Sequence, residues 1–138
     1  MTLQEAANAI WQVLHECMQV VDATIAIHYP DTAGSVSNGS VPWIRATMAH
    51  IPPGKGSLAG AFGTRRRERA GVCTIQIFVP VGDKRFTSYK LAQEIVQAYE
   101  DSQTNVWFRK AYVNEVPGDS GGFSQTNVLV NFEYDHVR

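Results

Sequence analysis

Charge of one sign is what this sequence most clearly lacks. Twelve basic residues face thirteen acidic ones in 138, for a net charge of −1. No global field draws the chain to nucleic acid or to an anionic membrane, so only local clusters of charge can matter. Cysteine is nearly missing too: there are two, Cys17 and Cys73. They cannot form the dense disulfide framework that small secreted domains need, and neither has a second cysteine at metal-ligand spacing. Both read as buried small hydrophobes, Cys17 in a helical pattern and Cys73 at the opening of an apolar strand. No apolar run approaches the ~18 residues of a membrane span. The opening Met1-Thr2-Leu3-Gln4-Glu5 has no basic leader followed by an apolar stretch, so no signal peptide and no secretion are expected.

Catalytic and metal-binding patterns are equally scarce. His15, His28, His50 and His136 have no histidine or cysteine three or four positions away, whereas zinc needs three or four converging ligands. There is no Gly-x-Ser-x-Gly elbow. Pro53-Gly54-Lys55-Gly56-Ser57 resembles a phosphate loop but lacks the four-residue spacer before Gly-Lys-Ser. Glu100-Asp101 is the one adjacent acidic pair. Neighbours in sequence point apart on a helix, so the pair reads as a helix end rather than an acid/base couple. The expectation is a non-enzyme with no metal and no cofactor. An enzyme would need a deep polar pocket assembled by the fold.

What is present suits one compact domain spanning residues 1–138, with an ordinary apolar fraction of 44%. Leu3, Ala6, Ala7, Ile10, Leu14, Cys17, Met18 and Val21 recur at three and four and predict a helix to about residue 21. Thr2 with Glu5 has capping-box spacing. Thr24–Tyr29 and Val41–Ile51 predict strands, separated by a polar loop rich in turn formers over residues 30–40. Gly71–Val81 is the strongest strand, with Cys73, Ile75, Ile77 and Val79 on one face. Ser88 can cap a second helix of about 13 residues whose buried side carries Leu91, Ala92, Ile95, Val96 and Tyr99. Val106–Glu115 and Phe123–Tyr134 follow as strands, separated by a turn-rich loop over residues 116–122; in the last, Val128, Val130, Phe132 and Tyr134 alternate inward. Strands joined by loops favour antiparallel pairing. The predicted fold is α+β: a mostly antiparallel sheet of four or five strands with both helices packed on it.

Residues 52–69 show neither period and read as a long connection, a length that is usually functional or disordered. Arg65, Arg66, Arg67 and Arg69 end it, with Lys55 upstream. Three readings stay open for this cluster: a solvated loop base, a protein-gripping loop whose arginine forks meet carboxylates, or phosphate contacts. No aromatic residues interleave with the arginines to stack bases.

Several segments, in order, resemble the tail terminator-like proteins of long-tailed bacteriophages. They are Trp43-Ile44-Arg45, Ile51-Pro52-Pro53-Gly54, Gly63-x-x-Arg66-x-Glu68-Arg69-x-Gly71 and Ile75-Gln76-Ile77-Phe78-Val79-Pro80-Val81-Gly82. Lys90-Leu91-Ala92-Gln93-Glu94-Ile95 and the stretch Asn127–Asp135 continue the likeness, which covers most of the chain from about residue 41. Asp83-Lys84 stands where a second glycine is expected in many relatives, and the 30–40 loop has no clear counterpart. The resemblance implies a structural virion protein: a homo-oligomeric ring, typically of six subunits, at the head-proximal end of the tail tube, assembled in the bacterial host cytoplasm. The ring would end tube polymerisation, contact the tail tube protein and a head–tail connector protein, and let DNA pass through its lumen. Under that resemblance Lys55, Arg65, Arg66, Arg67 and Arg69 become candidates for a subunit or tail-tube interface. A head-side connector (stopper or tail-completion) protein and a nucleic-acid-binding module are the alternative readings.

Overall fold

The computed structural model describes residues 1–30, 41–52, 66–80, 85–120 and 122–137. Helix α1 spans Leu3–Val21 and opens with the anticipated capping box: Glu5 N–H donates to the Thr2 hydroxyl, and the Thr2 N–H donates to the Glu5 carboxylate. These bonds satisfy two backbone donors that a helix start otherwise leaves without partners. Its buried stripe is Ala6, Ile10, Leu14 and Met18. Leu3, counted into that stripe from the sequence, is 56% exposed, because it lies at the helix end beyond the layer it packs on. Cys17 is half-buried rather than buried.

Five strands follow: β1 (Ala26–His28), β2 (Trp43–Ile51), β3 (Arg66–Pro80), β4 (Trp107–Ser120) and β5 (Phe123–Val137), with helix α2 (Arg85–Glu100) between β3 and β4. They form one sheet in the order β1-β2-β3-β5-β4. The fold is α+β, with antiparallel pairing everywhere except β1 against β2, which is parallel. A parallel pair needs a crossover of a dozen or more residues, and the segment between His28 and Trp43 is long enough to supply one. The polar loop anticipated there, residues 31–40, lies outside the described residues.

Both helices pack on the face carrying Ile44 and Ala46 of β2, Cys73, Ile75, Ile77 and Val79 of β3, and Val128, Val130, Phe132 and Tyr134 of β5. From α2 this core receives Leu91, Ala92, Ile95 and Tyr99. The buried Tyr99 hydroxyl donates to Ile10 O at 2.9 Å and ties the helices together. Every inward position of β3 and β5 anticipated from alternation is buried, as expected where one face meets a core.

Three boundaries differ from expectation. Helix α2 begins at Arg85, so Ser88 is inside it. Ser88 is fully buried and accepts a hydrogen bond from the Thr126 hydroxyl at 3.2 Å; its polarity serves a tertiary bond rather than a cap. Strand β4 runs through Val116-Pro117-Gly118-Asp119-Ser120, which reads as a turn. The ladder shifts register between Val116 and Asp119, and such an irregularity in an edge strand is where proline's missing N–H is tolerated. Ser120 pairs with Phe123, so the strands take up most of the expected turn. Gly122 has φ +84°, a conformation that favours glycine in tight hairpin turns. Finally, β3 starts at Arg66, five residues before the anticipated Gly71.

Candidate assembly surface

That early start relocates part of the arginine cluster. Arg66, Arg67 and Arg69 belong to strand β3, not to a loop, and pair in register with Val137, His136 and Tyr134 of β5. Lys55 and Arg65 lie outside the described residues, as does most of the connection expected over 52–69. Strand β2 ends at Ile51 opposite Ala70, and β4 begins at Trp107 opposite Glu133. Beyond those points, among the described residues, β3 and β5 continue as a two-stranded ribbon, Arg66–Arg69 against Tyr134–Val137. A 15-residue strand reaches roughly 50 Å, while the 19-residue α1 covers about 28 Å, so the strands outrun the helix layer.

At the root of the ribbon, on the helix side, lies an open pocket of about 500 Å³ that includes His50, Arg69, Tyr134 and His136. Tyr134 is 1% exposed and its hydroxyl sits 2.9 Å from His50 Nε2. The His50 ring also stands edge-on to Phe132 at 5.4 Å between centroids. Partial burial, with the nearby positive charge of Arg69, holds the His50 pKa below its ordinary value. Burial pushes the Tyr134 phenol up, against the opposing pull of Arg69. Gly71 makes this packing possible. It pairs with both His50 and Phe132, and a Cβ there would fall 2.4 Å from Ala49 O and 2.6 Å from Phe132 Cζ.

The second surface is the β4 edge. Its 14 residues form the outer strand on one side of the sheet, whereas the outer strand on the other side, β1, has three and pairs only with Trp43–Arg45 of β2. Trp107, Tyr112 and Val113 are exposed there. Arg109 lies 5.7 Å from the Trp107 ring centre and bonds Glu133 at 2.9 Å, and Lys110 lies 5.1 Å from the Tyr112 ring. Charges and bulges of this kind blunt an edge against indiscriminate pairing while leaving it open to a fitted partner.

The third surface is the sheet face opposite the helices, which no described helix covers. Its middle carries Thr47, Thr74, Gln76, Asn114, Asn127 and Asn131, uncharged polar side chains that are half-buried or exposed, with the exposed cations Arg45 and Lys110 in the same rungs. One end is closed by an aromatic cluster of Trp43, Phe78 and Phe123. Trp43 stacks on Phe78 at 4.2 Å, and the Arg45 guanidinium lies 5.3 Å from the Trp43 ring centre. The sequence motif Trp-Ile-Arg marks this spot, but only the register Trp43↔Phe78↔Gln125 shows what the two outward residues meet.

Among the described residues no group of three histidine, cysteine or carboxylate side chains could hold a metal ion, and no helix is long and apolar enough to cross a membrane. Of the sequence candidates, only Arg69 has a described side chain, and it joins the pocket. His50, Tyr134 and His136, which share that pocket, were not joined by the sequence: the histidines read as isolated and Tyr134 as an inward position of the last strand. They are 84 or more positions apart from His50 to either partner in chain order, and strand register alone unites them.

No curated protein matches the chain. A solved structure known only by a sequence identifier covers 100% of this chain and 96% of its own at 17% identity, with a TM-score of 0.61; that likeness concerns the fold alone. The family model of the phage tail terminator protein matches residues 6–127. That match takes in both helices, β1 to β4 and the first part of β5, and on its strength the chain belongs to the phage tail terminator family.

Proposed function

We propose that this protein closes the growing end of a phage tail tube: several copies, in the family-like reading six, form a ring at the head-proximal end, stop tube polymerisation and offer the surface on which the head-side connector docks. The observation that carries this reading is the family match over residues 6–127. The coarser conclusion, a structural protein of the phage tail and so a virion component, follows from that membership directly.

The fold offers physical means for the finer steps. A ring is built from head-to-tail contacts that close by rotation, so each copy must present two different, complementary surfaces. The β4 edge and the β3–β5 ribbon, which leaves the sheet beyond β2, are two such surfaces on one molecule. The net charge of −1 suits a lumen past which DNA slides without being gripped, since affinity for duplex DNA rises with each phosphate neutralised. The segment 52–69, with Lys55, Arg65, Arg66, Arg67 and Arg69, is the part we assign to a neighbouring subunit or the tail tube.

Electron microscopy of particles made with the gene interrupted tests this. Overlong or uneven tails, separate from filled heads, are the expected result. Tails of normal length lying unattached would shift the role to a head-side connector. Intact virions would end the structural reading. Independently, Arg66→Ala with Arg69→Ala should impair capping of tails; unimpaired capping removes the arginines from the interface.

A further inference from the structure

The pocket at the root of the ribbon has the chemistry of an anion-binding site. The Arg69 side chain, on β3, is half-buried and close enough to His50 and Tyr134 for its positive charge to act on both. Its planar fork of donors matches a carboxylate in a bidentate fashion. Across the ladder from it stands Tyr134, whose hydroxyl is held by His50 at 2.9 Å, so two further polar groups are fixed in place on the same wall. His136, the next residue of β5 on that face, adds a third. Among the described residues no acidic side chain lines the pocket. By strand alternation Glu68 and Asp135, opposite each other in register, belong to the other face of the ribbon. The rim includes exposed apolar residues: Leu3, 56% exposed, Ile51, 54% exposed, and Pro52.

We propose that this pocket binds an organic carboxylate carrying a short apolar body, with Arg69 taking the carboxylate as a fork, the His50–Tyr134 pair beside it, and Leu3 and Ile51 covering the apolar part. A cation in a partly desolvated wall gains most from an anion that restores its lost hydration through two parallel N–H···O bonds. The apolar rim selects against inorganic anions, which would leave Leu3 and Ile51 in water. A free small carboxylate and an acidic side chain or terminal carboxylate of a polypeptide share this chemistry. Arg69 is shared with the assembly reading, and loss of isovalerate binding with tail capping intact, or the reverse, separates the two.

Isovalerate is the probe, with isoamyl alcohol as its uncharged counterpart, each titrated into the full chain and followed by NMR at the His50 ring and the Leu3 methyls. Saturable shifts at both positions with isovalerate, and none that saturate with the alcohol, are expected. A negative charge seated on Arg69 also moves the His50 ring toward its protonated form, so the His50 titration midpoint should rise on binding. Arg69→Gln should weaken binding at least tenfold. Leu3→Asp should weaken it similarly by repulsion from the rim, and an acid in the first turn of α1 suits the helix dipole, so this variant keeps the fold. Absence of saturable shifts, equal binding of the alcohol, or unchanged affinity in both variants would overturn the proposal. Where binding holds, sedimentation with and without isovalerate identifies the natural source. Dissociation of oligomers by isovalerate assigns the carboxylate to a neighbouring copy of this chain. Unchanged sedimentation assigns it to a source other than a copy of this chain.

Discussion

Replacing Gly71 with alanine should destabilise the protein by about 3 kcal/mol, although it adds a single methyl group to a β-strand. Gly71 lies in β3, with β2 on one side and β5 on the other. The added carbon would meet Ala49 O at 2.4 Å, Phe132 Cζ at 2.6 Å and His50 Cα at 3.1 Å. Two of those three atoms are backbone of the paired strand, which cannot retreat without breaking ladder hydrogen bonds. The third belongs to a ring that is 1% exposed and has no free space to turn into. Overpacking a core usually costs about 1–3 kcal/mol. Expelling the Phe132 ring altogether would approach the roughly 3–5 kcal/mol of a buried Phe→Ala change. The expected value lies where those ranges meet, and Gly71→Val should exceed it. Urea denaturation of both variants against wild type, with the slope checked for two-state behaviour, measures it. The midpoint of thermal unfolding should fall by roughly 10 °C. A cost below about 1 kcal/mol for Gly71→Ala would show that the strands separate easily at this point. The tight register that joins His50 to Tyr134 would then be wrong.

Three further outcomes follow from the same structure. Thr2→Ala removes the side-chain acceptor of the capping box and should cost about 1 kcal/mol, seen as a lower urea midpoint that Thr2→Ser largely restores. Burial pushes the Cys73 thiol up to about 12, so in the native protein Cys73 should stay inert to a thiol reagent near neutral pH and react only at the rate of unfolding. The more accessible Cys17, whose pKa is also raised by burial and by Glu94, should react first; prompt modification of Cys73 would contradict its place in the core. The His50 pKa is lowered in the folded state. Above the ordinary value near 6.5 the ring is neutral folded or unfolded, and its contribution to stability is complete. As pH falls through 6.5 toward the lower folded value, the unfolded chain binds the proton first and stability is lost. His50→Gln should therefore flatten the decline in urea midpoint between pH 7.5 and 5, and an unchanged pH profile would remove His50 from that role.

The sequence by itself determined the elements that face the core. The three-and-four spacing of Ile10, Leu14 and Met18, and the alternation of Cys73, Ile75, Ile77 and Val79 and of Val128, Val130, Phe132 and Tyr134, state which side of each element is apolar, and burial follows that pattern. Two helices on a mostly antiparallel sheet were legible for this reason, and the family was legible in the order of the motifs. Where a segment leaves the core, the pattern has nothing to report. Arg66–Arg69 form a strand as regular as the rest of β3. They show no apolar alternation, because the ribbon they make with β5 has no core beneath it, and so they read as loop. Pro117-Gly118 read as a turn because breakers mark turns; on an edge strand a shift of register absorbs them. Pairing order and register were decided only by the tertiary structure. Residues far apart in the chain choose partners by the total burial of both strands, and no local signal encodes that choice. Hence β5 lies between β3 and β4, β1 runs parallel to β2, and His50, Arg69 and Tyr134 meet in one pocket although nothing in their neighbourhoods names the others.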